Sequence, residues 1–553
     1  MSPTDPNTAD RSPAARKMAD PAWWTTCVAY QIYPRSFCDT TGNGIGDLAG
    51  IRAHLDHLSW LGVDAIWLSP FFTSPMADAG YDVADFCDVD PLFGDLNGFD
   101  QLLSEAHQRG LKVIIDWVPN HTSIEHPWFA ESRSSTDNAK RDWYVWRNPG
   151  PSGEPPNNWT ESLTFGPAWT TDDTTGQAYL HCFLPEQPDL NWDHPAVEAA
   201  LHDTLRFWLD RGVDGFRMDV VHLIGKDPDL ADVAPELVGL PQVVLNNRPE
   251  THERLRRIRS LIDAYPGDRM AIGEIYLLDT EQVASHYGSN DELHLCFNFP
   301  PLFAKFDAES WRTVMDDTVA SLDPIGAWPT WVLSNHDNPR HATRYAKGQE
   351  PNDAAARARA AAVLLLTLRG TPFVFAGEEL GLTDAEVPEG RRHDPAGRDG
   401  CRAPIPWDAT PNHGWATGTP WLPWPPEATA RNVDTLRQDP NSILWLYREV
   451  LALRRSRPAL RVGDLQRWDL HPDVLAFRRG TGHDALLVLV NMGNDDLDVH
   501  LDLDPDAARD PDPDHRPSWT MVCSSVEGVT DPATTAVVWS SRLRRNEAVI
   551  LGQ

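Results

Sequence analysis

Four short segments each put a carboxylate at or beside the end of an apolar run. They are Asp116 in D-W-V-P-N-H (116–121), Asp219 in G-F-R-M-D-V (215–220), Glu274 in G-E-I-Y (273–276) and Asp337 in S-N-H-D-N (334–338). A single carboxylate at a strand end commonly caps a helix or pairs with an arginine. Several that converge are the equipment for cutting a glycosidic bond, where one carboxylate acts as nucleophile or base and a protonated carboxyl donates to the leaving oxygen.

Such residues are useful only if the chain brings the run ends together. Short apolar runs that fit buried strands occur at 28–34, 65–70, 112–118, 215–220, 270–275, 293–299, 330–337 and 372–379. Helical periodicity separates most of them, at 51–61, 97–109, 195–211, 250–264, 309–321 and 353–368. Strands apolar on both faces need cover on both sides, so the pattern predicts a closed (β/α)8 TIM barrel. A doubly wound open sheet is the alternative, and it lacks a Gly-rich phosphate loop after the first strand. In a barrel the chemistry belongs at the C-terminal strand ends, where all four carboxylates fall.

Two connections exceed plain loops. Residues 120–190, rich in Trp, Pro, Asn and Gly, read as a small domain inserted after strand three, and 380–435 as an excursion after strand eight. A helix at 441–455 closes the barrel, so the catalytic unit covers 22–119 and 191–464. From 465 to 553, apolar runs alternate with Asp, Gly and Pro turns, which predicts a C-terminal antiparallel β-sandwich. Residues 1–21 read as a disordered leader without an apolar signal core.

The formal net charge of −33 argues against nucleic acid or an anionic membrane as partner, and no run is long enough to span a bilayer. Seven scattered Cys without a C-x-x-C pair suit free thiols in a reducing compartment, so the expected location is cytoplasmic. The 23 Trp serve core packing, with those in loops available to stack on sugar faces.

The four carboxylate segments, in this order and setting, closely resemble the signature regions of the α-amylase superfamily, glycoside hydrolase family 13. Q-P-D-L-N-W (187–192), G-N-G-I-G-D-L (42–48) and G-E-E-L-G (377–381) match as well, and the resemblance covers residues 22–553. It implies that Asp219 is a nucleophile forming a β-glucosyl ester, that Glu274 is the general acid and then base, and that Asp337 stabilises the transition state through sugar hydroxyls. Arg217, two residues before Asp219 and on the same strand face, would keep Asp219 ionised. His121 and His336 would bind sugar hydroxyls, and Asp116 would support Arg217. The mechanism implied is retaining, with the two carboxyls roughly 5–5.5 Å apart, and it requires no cofactor.

Q-P-D-L-N resembles the branch of oligo-1,6-glucosidases and exo-acting α-glucosidases. In that branch a Tyr-Asp pair and an arginine after strand eight clamp the terminal glucose. Here these would be Tyr81, Asp82 and either Arg398 or Arg402, with Arg402 favoured because it directly precedes A-P-I-P-W. Val220 resembles enzymes accepting α-1,6 bonds, and H-L-I-G-K-D-P (222–228) resembles actinobacterial α-glucosidases. The implied partners are small α-glucosides and oligosaccharides. A glucosyl transferase or disaccharide isomerase of the same family is the rival reading. An inactive scaffold is more remote, since all three catalytic carboxylates are present. Asp39, Thr41, Asn43, the Ile45 carbonyl and Asp47 are spaced like a calcium loop, and relatives carry Ca²⁺ or Mg²⁺ there; a metal-free hydrogen-bonded turn is the alternative.

Overall fold

The computed structural model describes residues 21–240, 245–416, 419–501, 519–526, 528–529, 539 and 541–552; the expected leader lies almost wholly outside them. Eight parallel strands follow the predicted runs: β1 (Ala29–Ile32), β2 (Ala65–Leu68), β3 (Lys112–Trp117), β4 (Gly215–Met218), β5 (Met270–Gly273), β6 (Leu295–Cys296), β7 (Thr330–Val332) and β8 (Thr371–Phe375). They pair in the order β6-β5-β4-β3-β2-β1-β8-β7. At the seam between β6 and β7, the Thr330 hydroxyl donates to the Cys296 carbonyl at 2.8 Å and accepts from the Asn298 amide at 3.1 Å. The sheet is the expected (β/α)8 barrel.

Alternation along the strands sorts two cores. Ala29, Ala65, Trp67, Ile114, Met270, Ile272, Val332 and Phe373 fill the barrel interior, while Tyr30, Ile66, Ile115 and Phe216 face the helices. Those helices are α1 (Leu55–Leu61), α2 (Leu96–Gln108), α3 (Pro195–Arg211), α4 (Pro249–Asp263), α5 (Thr280–Ser285), α6 (Ala308–Leu322), α7 (Pro351–Thr367) and α8 (Ile443–Ser456). Helix α5 was not foreseen. It is only six residues long, and its signal is local: the Asp279 carboxylate caps the amides of Glu281 and Gln282.

After β3 the chain leaves the barrel and forms a small three-stranded sheet from 146–147, 169–171 and 178–180. The C-terminal unit is a six-stranded antiparallel sheet with a two-stranded ribbon, 497–498 with 542–543. One face of that sheet, with Phe477, Val488 and Ile550, joins the barrel's outer core, and Trp468, Leu489 and Leu551 pack with Leu543 of the ribbon on the other. All seven cysteines are free thiols, and among the described residues no helix is long and apolar enough to cross a membrane.

Candidate active site

Strand register gathers the acidic residues. Asp116 on β3 sits beside Arg217 on β4, and Arg217 sits beside Ile272 on β5. Since β4 places Phe216 and Met218 outward, Arg217 and Asp219 share the inward face, with Glu274 one step beyond the end of β5. The amides of Asp219 and Glu274 continue the ladder, donating to Trp117 and Met218 carbonyls at 2.9 Å each.

One guanidinium organises the floor. Arg217 Nη1 donates to Asp116 at 2.5 Å and to Asp219 at 2.7 Å, and Nη2 donates to Glu274 Oε2 at 2.6 Å. Trp67 and Tyr81 lie 5.4 and 5.6 Å from that guanidinium, closing it off from water. Glu274 Oε2 also accepts from the Val220 amide at 3.1 Å, so its Oε1 is the less engaged oxygen. Val220 itself has φ 35° and ψ 38°, a left-handed conformation unusual for a β-branched residue.

A single cation facing three carboxyls leaves the trio short of positive charge. Burial pushes the Asp219 carboxyl well above its usual range, with Arg217 opposing and Glu274 and Asp116 adding to the rise, so Arg217 does not by itself keep Asp219 ionised as expected. Burial likewise pushes Asp116 up to about 7 against the pull of Arg217. Asp337 goes the other way: burial would raise it, but His336, Arg398, Arg402 and Arg217 outweigh burial and hold it well below the usual carboxylate range. Desolvation lowers His121 to about 4 and His336 to about 3, so both imidazoles are neutral hydrogen-bonding groups.

These groups surround a cavity of about 450 Å³ lined by Tyr81, His121, Asp219, Glu274, Asp337 and Arg398 among others. His336 stands behind the wall, 1% exposed, and meets the Tyr81 hydroxyl at 2.5 Å and Gln31 at 2.7 Å. His121 approaches the Gln187 amide at 3.1 Å.

Two expectations change here. Asp82 does not face the cavity: its oxygens accept from the Ser74 hydroxyl and from the amides of Ala77 and Asp78, which makes it the anchor of a turn. That turn presents Asp78, whose carboxylate pairs with Arg398 at 2.6 Å. Arg398 also reaches Asp337 at 3.0 Å and Asp394 at 2.5 Å. Arg402, expected as the clamp, is 1% exposed; it braces the His336 carbonyl at 2.7 Å and Asp337 at 3.1 Å from behind. The pair at the closed end is therefore Asp78–Arg398. Asp78, three residues before Tyr81, was missed because only tertiary contact separates it from its acidic neighbour Asp82.

The loop at 39–47 satisfies itself. Asp39 accepts from the amides of Thr41, Gly42 and Gly44, Asp47 from Thr40 and the Gly50 amide, and Asn43 from the Ile45 amide. These side-chain oxygens are thus engaged by chain donors, and no group of three or more His, Cys, Asp or Glu side chains is gathered among the described residues.

Residues 31–463 match the family described as alpha amylase, catalytic domain. The chain is 44% identical over 505 residues to a probable alpha-glucosidase of Rhizobium meliloti (strain 1021), covering 86% of this chain and 90% of that one. It is 38% identical over 514 residues to an oligo-1,6-glucosidase of Parageobacillus thermoglucosidasius, covering 85% and 90%. Among solved structures, an alpha-glucosyl transfer enzyme, XgtA, is 40% identical with a TM-score of 0.85 over 96% of this chain and all of that one. The trehalulose synthase MutB from Pseudomonas mesoacidophila MX-45 is 34% identical with a TM-score of 0.87 over 97% of this chain and all of the other. With its barrel, its carboxylates on one guanidinium and these relatives, the chain belongs to the α-amylase family, glycoside hydrolase family 13.

Proposed function

We propose that the protein is an α-glucosidase that removes a terminal non-reducing glucose with retention, through a glucosyl ester on Asp219. The observation that carries the reading is the shared guanidinium: Arg217 holds Asp219 and Glu274 on adjacent arms. That compact arrangement favours the short carboxyl spacing of retaining enzymes, roughly 5–5.5 Å, over the wider gap that must admit a water. In the reacting form the proton among these crowded carboxyls resides on Glu274 and Asp219 is ionised, its Oδ1 held by Arg217 and its Oδ2 left to attack C1. Glu274 Oε1 then hands its proton to the leaving oxygen and afterwards takes one from the incoming hydroxyl. Asp337, kept ionised by Arg398 and Arg402, offers acceptor oxygens to sugar hydroxyls and opposes positive charge that develops at the ring.

The Asp78–Arg398 pair supports an exo reading, because an ion pair across the far end of the cavity leaves room for a chain end and none for a through-running polymer. Small α-1,4- and α-1,6-linked glucosides are the substrates this predicts. The free state of all seven cysteines supports a reducing, cytoplasmic setting. Glucose transfer to another sugar is the second reading, favoured by the likeness to the glucosyl transfer enzyme. A panel of maltose, isomaltose, trehalose, sucrose and starch, with NMR of the first-formed anomer, tests the proposal. Starch as best substrate sinks the exo reading, and β-glucose as first product sinks retention.

A further inference from the structure

The outer wall of the cavity comes from two segments far apart in sequence. The inserted domain contributes Leu163, Phe165 and Phe183, and the segment after β4 contributes Val220, His222 and Asn246. The two sides share a hydrophobic core distinct from those inside and around the barrel. Trp159, Trp169 and Leu180 of the inserted domain pack there with Val220, Leu230 and Val233.

Polar contacts fasten the same junction. Lys226 Nζ pairs with Asp189 at 2.6 Å, Asn157 Nδ2 donates to the Leu230 carbonyl at 3.0 Å, and Trp159 Nε1 donates to the Ala231 carbonyl at 2.9 Å. Asn158 does more. Its Nδ2 donates to the Val233 carbonyl at 2.9 Å while its Oδ1 accepts from the Val233 amide at 2.8 Å. Its own amide donates to Asp232 at 3.0 Å. A carboxamide offers donor and acceptor in one plane, so Asn158 pairs with Val233 as a neighbouring strand would.

The wall matters at the second chemical step. When water intercepts the ester, the C1–Asp219 oxygen bond breaks, the water oxygen bonds to C1 and its proton passes to Glu274. When a sugar hydroxyl intercepts it, the bonds and the proton move identically. The catalytic carboxylates therefore cannot discriminate; occupancy of the space beyond C1 does. Phe165 stands at that mouth, 60% exposed and at φ 61°. It is displayed by a turn in which Glu161 accepts from the amides of Leu163 at 2.6 Å and Thr164 at 2.8 Å. Apolar faces held fixed against C1 bind an acceptor at low ordering cost and displace water.

We propose that the Asn158–Val233 staple sets the partition of the glucosyl-enzyme between water and a sugar acceptor, with Asn158 a positioning residue; this rests on the retaining α-glucosidase reading. The test uses the full-length enzyme, p-nitrophenyl α-glucoside with a 13C-labelled glucosyl group as donor and unlabelled maltose as acceptor, and reads the ratio of labelled free glucose to nitrophenol. Wild type should give a ratio below unity that falls as maltose rises. Asn158→Asp keeps the size and the acceptor but loses the donor, and Asn158→Ala loses both. Each should need about 2- to 10-fold more maltose for equal transfer, the scale of one neutral hydrogen bond. Nitrophenol release should stay within about two-fold, because nitrophenolate is an activated leaving group that departs with little help from the wall, whereas a sugar acceptor has to be held by it. Trp159→Phe, which deletes one hydrogen bond and keeps a smaller aromatic ring, should shift the ratio in the same direction if the Asn158 variants fail to fold. Unchanged ratios with normal nitrophenol release overturn the proposal, as does nitrophenol release that falls in step with transfer. A wild-type ratio of unity at every maltose concentration overturns it as well. Absence of nitrophenol release in wild type refutes the underlying α-glucosidase reading instead.

Discussion

Arg398 and Arg402 both touch Asp337, yet they occupy opposite sides of the wall, and replacing each by alanine separates their roles. Arg398 lines the cavity and bonds Asp78, Asp337 and Asp394. Hydrogen bonds to charged groups contribute about 1.5–3 kcal/mol each. If terminal glucose takes one such bond from Arg398 and another from a carboxylate that Arg398 orients, Arg398→Ala forfeits about 3–6 kcal/mol of transition-state binding. That corresponds to a fall of roughly 10²–10⁴ in kcat/KM at ~1.4 kcal/mol per decade. Arg402 is buried behind the wall, where it braces the His336 carbonyl. Its loss leaves a buried carboxylate network under-neutralised, which costs about 3–5 kcal/mol of stability. The assay is kcat/KM on p-nitrophenyl α-glucoside beside Tm by calorimetry. Arg398→Ala should lose mainly kcat/KM, and Arg402→Ala mainly Tm. A folded Arg402→Ala that loses more kcat/KM than Arg398→Ala refutes the placement.

Asp219→Ala and Glu274→Gln should each lose at least about 10³-fold in turnover with the fold intact, and azide should restore Asp219→Ala by forming β-glucosyl azide; appreciable activity without azide removes Asp219 as nucleophile. Because the oxygens of Asp39 and Asp47 are engaged by chain donors, EDTA should leave Tm within about 1 °C. A chelator-induced drop of several degrees that Ca²⁺ reverses would reveal a bound cation. Val220→Thr should lower the isomaltose-to-maltose ratio of kcat/KM by roughly 5- to 100-fold, the range a methyl-scale change in a pocket supports; an unmoved ratio means that linkage preference is set elsewhere.

The candidate catalytic residues were legible because they are tied to local pattern. Asp116, Asp219, Glu274 and Asp337 end apolar runs, and a barrel brings such ends to one face whatever the intervening loops do. The barrel itself follows from the period of those runs, and of the eight helices named around it only Thr280–Ser285, the shortest of the eight, escaped. What lies across the cavity was not legible. Asp78 and Asp82 are both acids in one turn, and which of them meets an arginine depends on the direction of that turn; backbone amides claim Asp82 and leave Asp78 free for Arg398. Arg398 and Arg402 are likewise one helical turn apart, and the 3-10 turn from Arg398 to Arg402 decides which side chain faces the sugar. The pairing of Asn158 with Val233 spans 75 residues and leaves no trace in either segment. Period and residue type belong to neighbours along the chain, so the sequence by itself determines strand and face, and the reaction is what the resemblance of its four carboxylate segments implies. The contacts that close a pocket join segments whose spacing the chain does not encode locally, and only the folded structure decides them.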